Sequence, residues 1–146
     1  MDACFWGKDR SSERHSIEHL HGGAVQSAPM DHTNKIYYIE FHATDLEKTK
    51  AFFAKVFGWT FTDYGPDYTS FVDGQIAGGF ARSDKRASQA AGSALVVILN
   101  PQLEETLRRI VENGGKVTQE IFSYPGGRRF HFTEPSGNEL SVCAEG

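Results

Sequence analysis

Thr44-Asp45-Leu46-Glu47-Lys48-Thr49-Lys50-Ala51-Phe52-Phe53, running on to Val56-Phe57-Gly58-Trp59, decides the fold, because its pattern returns 57 residues later as Gln102-Leu103-Glu104-Glu105-Thr106 through Gly115. Positions 46/103, 47/104, 49/106 and 58/115 are identical. The order of surrounding signals is the stronger sign: an apolar strand before each copy, over 36–41 and 94–99, a helix-length segment ending in glycine, then short strands joined by turns. A unit that recurs at a fixed offset with the same order of elements is a duplicated module.

Each helix follows from its chemistry. Thr44-Asp45-Leu46-Glu47 has capping-box form, with the Thr44 hydroxyl taking an orphan N–H and Glu47 reaching back. In the second copy Asn100 is suited to cap and Pro101 to the first helical position. Leu103, Leu107, Ile110 and Val111 make one apolar stripe, and Leu46, Phe53 and Phe57, with Phe52 and Val56 beside them, make another. Gly58 and Gly115 stand where a left-handed residue closes a helix. After the first helix, strands are expected over 59–64, 68–72 and 75–81, separated by Gly65-Pro66 and Asp73-Gly74. After the second, they are expected over 116–121, 128–133 and 139–144, separated by Pro125-Gly126-Gly127 and Pro135-Ser136-Gly137-Asn138. Both halves read βαβββ.

Paired βαβββ modules, the opening Thr44 to Trp59 and the closing Phe132-Thr133-Glu134-Pro135-Ser136-Gly137-Asn138 resemble the vicinal oxygen chelate superfamily, which includes glyoxalase I, extradiol dioxygenases, fosfomycin resistance enzymes and bleomycin resistance proteins. The resemblance covers residues 35 to 144 and implies an α+β fold, in which paired modules, about 35–82 and 93–144, form a cupped mixed β-sheet with helices outside. Residues 1–34 read as a polar leader. They carry His15, His19, His21 and His32 and lack the apolar run of a signal peptide. Met30 is a plausible native start, and His15, His19 and His21 have a spacing that would suit a metal on a helix.

Composition excludes several classes. With 39% hydrophobic residues, 12% aromatic residues and a net charge of -4, the chain has a globular composition and no basic footprint for nucleic acid. No apolar run is long enough to span a membrane. Cys4 and Cys143 do not form a disulfide framework, which points to the cytoplasm.

In the metal enzymes of the superfamily, the first and last strands of each module supply four ligands, usually His, Glu or Gln. Carried over, those positions are Tyr38, Gly78, Leu95 and Ser141, which make no usual ligand set for a divalent ion. Glu139 stands two residues before Ser141, on the same face but about 7 Å along the strand. No metal and no other cofactor are therefore expected, a divalent metal being the alternative. Tyr38, Glu40 and His42 alternate on the face turned to the cup. Trp59, Phe61, Tyr64 and Phe71 are candidates for an aromatic lining, Gly78 for a widened floor, and Arg128 or Arg129 for anion recognition. His131 reads as a packed or surface histidine.

The expected function is a metal-free small-molecule-binding module, working as a homodimer because sheet edges and half-open cups call for a partner. The alternative is a metal-dependent lyase, isomerase or dioxygenase with relocated ligands. Whether the chain is an enzyme is open on sequence alone.

Overall fold

The computed structural model describes residues 31–146. The readings of Met30 and of His15, His19 and His21 lie outside them. The elements are β1 (Tyr38–Ala43), α1 (Leu46–Phe57), β2 (Thr60–Asp63), β3 (Tyr68–Val72), β4 (Ala77–Arg82), β5 (Val96–Leu99), α2 (Leu103–Glu112), β6 (Lys116–Tyr124), β7 (Gly127–Thr133) and β8 (Glu139–Glu145). This is an α+β fold of two βαβββ modules. The first sheet has the order β1-β4-β3-β2 and the second β5-β8-β7-β6. In each, the first strand runs parallel to the last and the remaining pairs are antiparallel. Among the described residues no helix is long and apolar enough to cross a membrane.

The helix boundaries shift by a residue or two from the sequence expectation. Asp45, not Thr44, caps α1: its carboxylate accepts the Lys48 N–H at 3.0 Å. The Asp45 N–H is taken by Ser136 Oγ of the second module, at 3.2 Å. A tertiary donor–acceptor pair thus replaces the local box. In the second module Asn100 Oδ1 accepts the Gln102 N–H, so Asn100 and Pro101 form a turn that ends just before the helix. Gly58 closes α1 at φ 73°, as its position predicts, whereas Gly114 rather than Gly115 takes the left-handed conformation after α2. A Cβ on Gly115 would meet Ile110 Cγ2 at 2.5 Å, so Gly115 is glycine for close packing. Val111 is exposed and Leu107 half-buried, leaving Leu103, Thr106 and Ile110 as the buried face of α2.

Helix residues carry contacts between the modules. Phe53, Trp59 and Phe71 stack in series, with ring centroids 4.5 and 4.4 Å apart. Phe52 and Phe57 of α1 lie 5.9 and 6.0 Å from Phe132 of β7. The Arg109 guanidinium of α2 donates to the Lys55 carbonyl of α1. Each sheet therefore has one face covered by helix and one opposite face, termed the open face below only for its side of the sheet, since on the second sheet His131, Ser141 and Cys143 on that side are buried.

A buried polar cluster ties the modules together. Glu134, 2% exposed, accepts from Thr49 Oγ1 at 2.7 Å, from the Ser136 N–H at 2.9 Å and from Asn138 Nδ2 at 2.6 Å. Asn138 also donates to the His42 carbonyl at the end of β1 and accepts from the Ala87 N–H in the connector. Burial raises the Glu134 pKa above its usual value near 4.5, against the lowering effect of its hydrogen bonds. The folded chain therefore holds this proton more tightly than the unfolded chain, and the resulting stability is present below pH 4.5 and lost as pH rises through the raised folded value. The stability of wild type relative to Glu134→Gln should fall with rising pH across that window. Parallel stability curves in urea, measured from acid to neutral pH, would remove Glu134 as the titrating group.

Candidate functional site

Side-chain alternation, with the register, decides what each open face carries. In the first sheet Tyr38 pairs with Ala77, Glu40 with Gly79 and His42 with Ala81, while Tyr68 lies opposite Ala81 and Ser70 opposite Gly79. Tyr38, Glu40, His42, Tyr68, Ser70 and Gly79 therefore share the open face, and Ile39 and Phe41 share the helix face. Tyr38 Oη and Tyr68 Oη are 2.5 Å apart, and the Tyr68 hydroxyl donates to Glu40 Oε1 at 2.9 Å. Burial comes first in raising the Tyr68 pKa, followed by its hydrogen bonds to Tyr38 and Glu40. Tyr68 thus stays protonated and holds the carboxylate in one orientation. Gly79 lies beneath both phenols: a Cβ there would meet Tyr68 Oη at 2.0 Å and Tyr38 Oη at 2.7 Å.

The second open face is built on β7 and β8. His131 pairs with Ser141 and Arg129 with both Cys143 and Phe122, so Phe122, Arg129, His131 and Ser141 lie on one side. The Arg129 guanidinium sits 5.4 Å from the Phe122 and Tyr124 ring centroids. The His131 ring packs edge-on against Phe122 at 5.7 Å. Burial, then the Arg129 charge, lowers the His131 pKa, partly offset by Glu139. The imidazole is neutral near pH 7. Ser141 is fully buried and donates its hydroxyl to the Phe130 carbonyl at 2.9 Å.

The sequence-based candidates divide on these grounds. Tyr38 and Glu40 stand on the first open face, and Ser141 on the second. Leu95, one residue before β5, has the same parity as Ser141 and borders a groove of about 1090 Å³ on the helix side. Trp59, Phe61 and Gly78 are corrected as open-face residues. Trp59 and Phe71 stack in the core, and Phe61 packs against it. Gly78 backs onto the Phe71 ring, 2.3 Å from where a Cβ would stand. The reason is register: Gly78 pairs with Ile39 on the helix face and Gly79 with Glu40 on the open face, and one residue reverses the face. Arg128 is corrected too, because it turns to the helix side and pairs with Glu104 of α2 at 2.6 Å. Its neighbour Arg129 takes the open face. Gly79, which with Gly78 reads in sequence as a strand position open to close approach, takes the open face, and Tyr68, which sequence alone does not bring to the site, lies in an expected strand whose alternation needs only a register.

Around the carried-over ligand positions the strands present few donor side chains. On the open faces β4 presents Ala77, Gly79 and Ala81, β5 presents Val97 and Leu99, and the Ser141 hydroxyl is spent on the backbone. Glu139 is engaged by the Gln89 N–H and the Thr118 hydroxyl. No group of three or more His, Cys, Asp or Glu among the described residues has the geometry to hold a metal ion. Cys143 is disulfide-bonded, so the cysteine argument for a reducing compartment does not carry over.

A model of the Glyoxalase/Bleomycin resistance protein/Dioxygenase superfamily matches residues 21–142. The chain belongs to that superfamily. Among solved structures it is similar to a glyoxalase-related enzyme from Fulvimarina pelagi, at 15% identity and a TM-score of 0.65, over 77% of this chain and 88% of that one. It is also similar to the fosfomycin resistance protein FosX from Listeria monocytogenes in complex with Mn(II) and 1S,2S-dihydroxypropylphosphonic acid, at 18% identity and a TM-score of 0.65, over 77% and 91% of the two chains. A third is a glyoxalase/bleomycin resistance protein from Albidiferax ferrireducens, at 13% identity and a TM-score of 0.62, over 76% and 98%. At these identities the likeness is one of fold. No curated protein matches the chain in sequence.

Proposed function

We propose that this protein is a metal-independent small-molecule-binding member of the superfamily. The observation that carries the reading is the donor set: Tyr38, Gly79, Leu95 and Ser141, the residues nearest the superfamily's ligand positions, offer one phenol and one already bonded hydroxyl. A divalent ion would exchange hydration for weak neutral donors. In place of a ligand set the first open face holds Glu40 oriented by Tyr68 and Tyr38, an anchor for a polar group on an otherwise aromatic ligand.

The binding unit is a homodimer. Among the described residues the β1 and β5 edges are unpaired, and Ile36, Tyr37 and Leu99 near them are 72%, 66% and 59% exposed. Apolar groups along open edges favour a second copy.

A thermal-shift screen of small aromatic and amphipathic compounds, run in EDTA, tests the reading. Binding to the folded state raises the midpoint by mass action, and hits should be weakened by Glu40→Gln. Hits that appear only when Mn²⁺ or Ni²⁺ is added would favour the metal-dependent alternative.

A further inference from the structure

We propose that Arg129 and His131 on β7 form a receptor for a carboxylate on the ligand this protein binds. The inference rests on the small-molecule-binding reading and adds the chemical class of the ligand. Arg128 and Arg129 are adjacent, yet their situations are opposite. Arg128 spends its guanidinium on Glu104, in two hydrogen bonds of 2.6 and 3.2 Å. Arg129 makes no ion pair among the described residues, and its Nε is buried without a hydrogen-bond partner.

Two aromatic rings, Phe122 and Tyr124, hold the Arg129 guanidinium without using any of its N–H groups. Buried donors left unpaired are uncommon and costly, so their presence needs a reason. His131, 6% exposed, stands two residues along on the same face, and its Nε2 is likewise buried and unpartnered. Glu139, the carboxylate that bears on His131, is occupied by the Gln89 N–H and the Thr118 hydroxyl and does not serve Arg129. A guanidinium edge, Nε with one Nη, matches the two oxygens of a carboxylate side by side. The neutral His131 imidazole supplies a further N–H to the same group, and the flanking rings suit an aromatic body behind the carboxylate.

The test is calorimetric titration of the full chain with benzoate and with benzamide, which share shape but differ in charge. Wild type should bind benzoate at least about tenfold more tightly, and Arg129→Met should erase that preference. The imidazole resonances of His131 should move during the benzoate titration. If Arg129→Met does not fold, Arg129→Lys keeps a charge over the rings without the Nε edge and should show the same loss. Equal binding of the two probes to wild type, or a preference that survives both substitutions, overturns the carboxylate receptor and leaves small-molecule binding standing. Failure of both probes also overturns it, and small-molecule binding itself falls only if the wider compound screen in EDTA is empty as well.

Discussion

Asn138→Ala is expected to destabilise the fold by about 3 kcal/mol, the sum of several orphaned buried groups at roughly 1 kcal/mol or more each. Asn138 is fully buried, and its side chain serves three partners: the His42 carbonyl in the first module, the Ala87 N–H in the connector and the Glu134 carboxylate in its own turn. Truncation leaves the His42 carbonyl and the Ala87 N–H without their side-chain partner, while Glu134 keeps only the Thr49 hydroxyl and the Ser136 and Asn138 N–H groups. Two of the three partners lie outside the second module, so the damage also loosens the junction between modules. Asn100→Ala is the control, since Asn100 makes one turn hydrogen bond near the surface. Its cost should stay near 1 kcal/mol or less, on the order of one local cap. Similar denaturant midpoints for the two variants would show that Asn138 does not bridge the modules.

The second large effect concerns two neighbouring glycines that answer to opposite faces. Gly79→Val should reduce affinity for any ligand of the first open face by about tenfold or more, because its side chain must displace the Tyr38 and Tyr68 hydroxyls that orient Glu40. Phenol ends at an exposed face can swing aside, so the fold should largely survive. Gly78→Val should do the reverse. Its Cβ would meet the Ile39 carbonyl and the Phe71 ring, each at 2.3 Å, and neither can retreat from the core. The expected result is a loss of about 1–3 kcal/mol or more in stability, the usual range for overpacking. Thermal melts with and without a bound compound separate the two outcomes, and matching behaviour of the variants would mean that the faces of β4 are assigned the wrong way round.

These glycines also show how far the sequence reads. The module order, both helices and all eight strands are legible because each depends on local chemistry: the apolar stripe of α1, the Gly58 stop, the Pro125-Gly126 turn. Sequence alternation likewise gives the face of Tyr38, Glu40 and His42. What fails is anything that needs register between strands. Gly78 and Gly79 are adjacent in sequence, and only the pairing of Glu40 with Gly79 says which one floors the site. The same holds for Arg128 and Arg129, which the pairing of Arg129 with Phe122 resolves. Trp59 and Phe71 look like a binding surface from composition, yet aromatic rings at helix–sheet junctions are core residues first. The polar cluster of Thr49, Glu134 and Asn138 was partly visible as a motif, but its partners come from positions up to 96 residues away. No local rule supplies such contacts.

If the open faces bind a small molecule without a metal, as proposed, the purified protein should hold no divalent ion. The protein, with His15, His19 and His21 replaced by alanine to remove their competing affinity, is incubated with Mn²⁺, Ni²⁺ or Zn²⁺, desalted and assayed for bound metal by mass spectrometry. Only substoichiometric metal should remain, and EDTA should leave ligand-induced stabilisation unchanged. Stoichiometric metal that disappears in Glu40→Gln or His42→Ala would contradict the claim and place a metal site on the first open face.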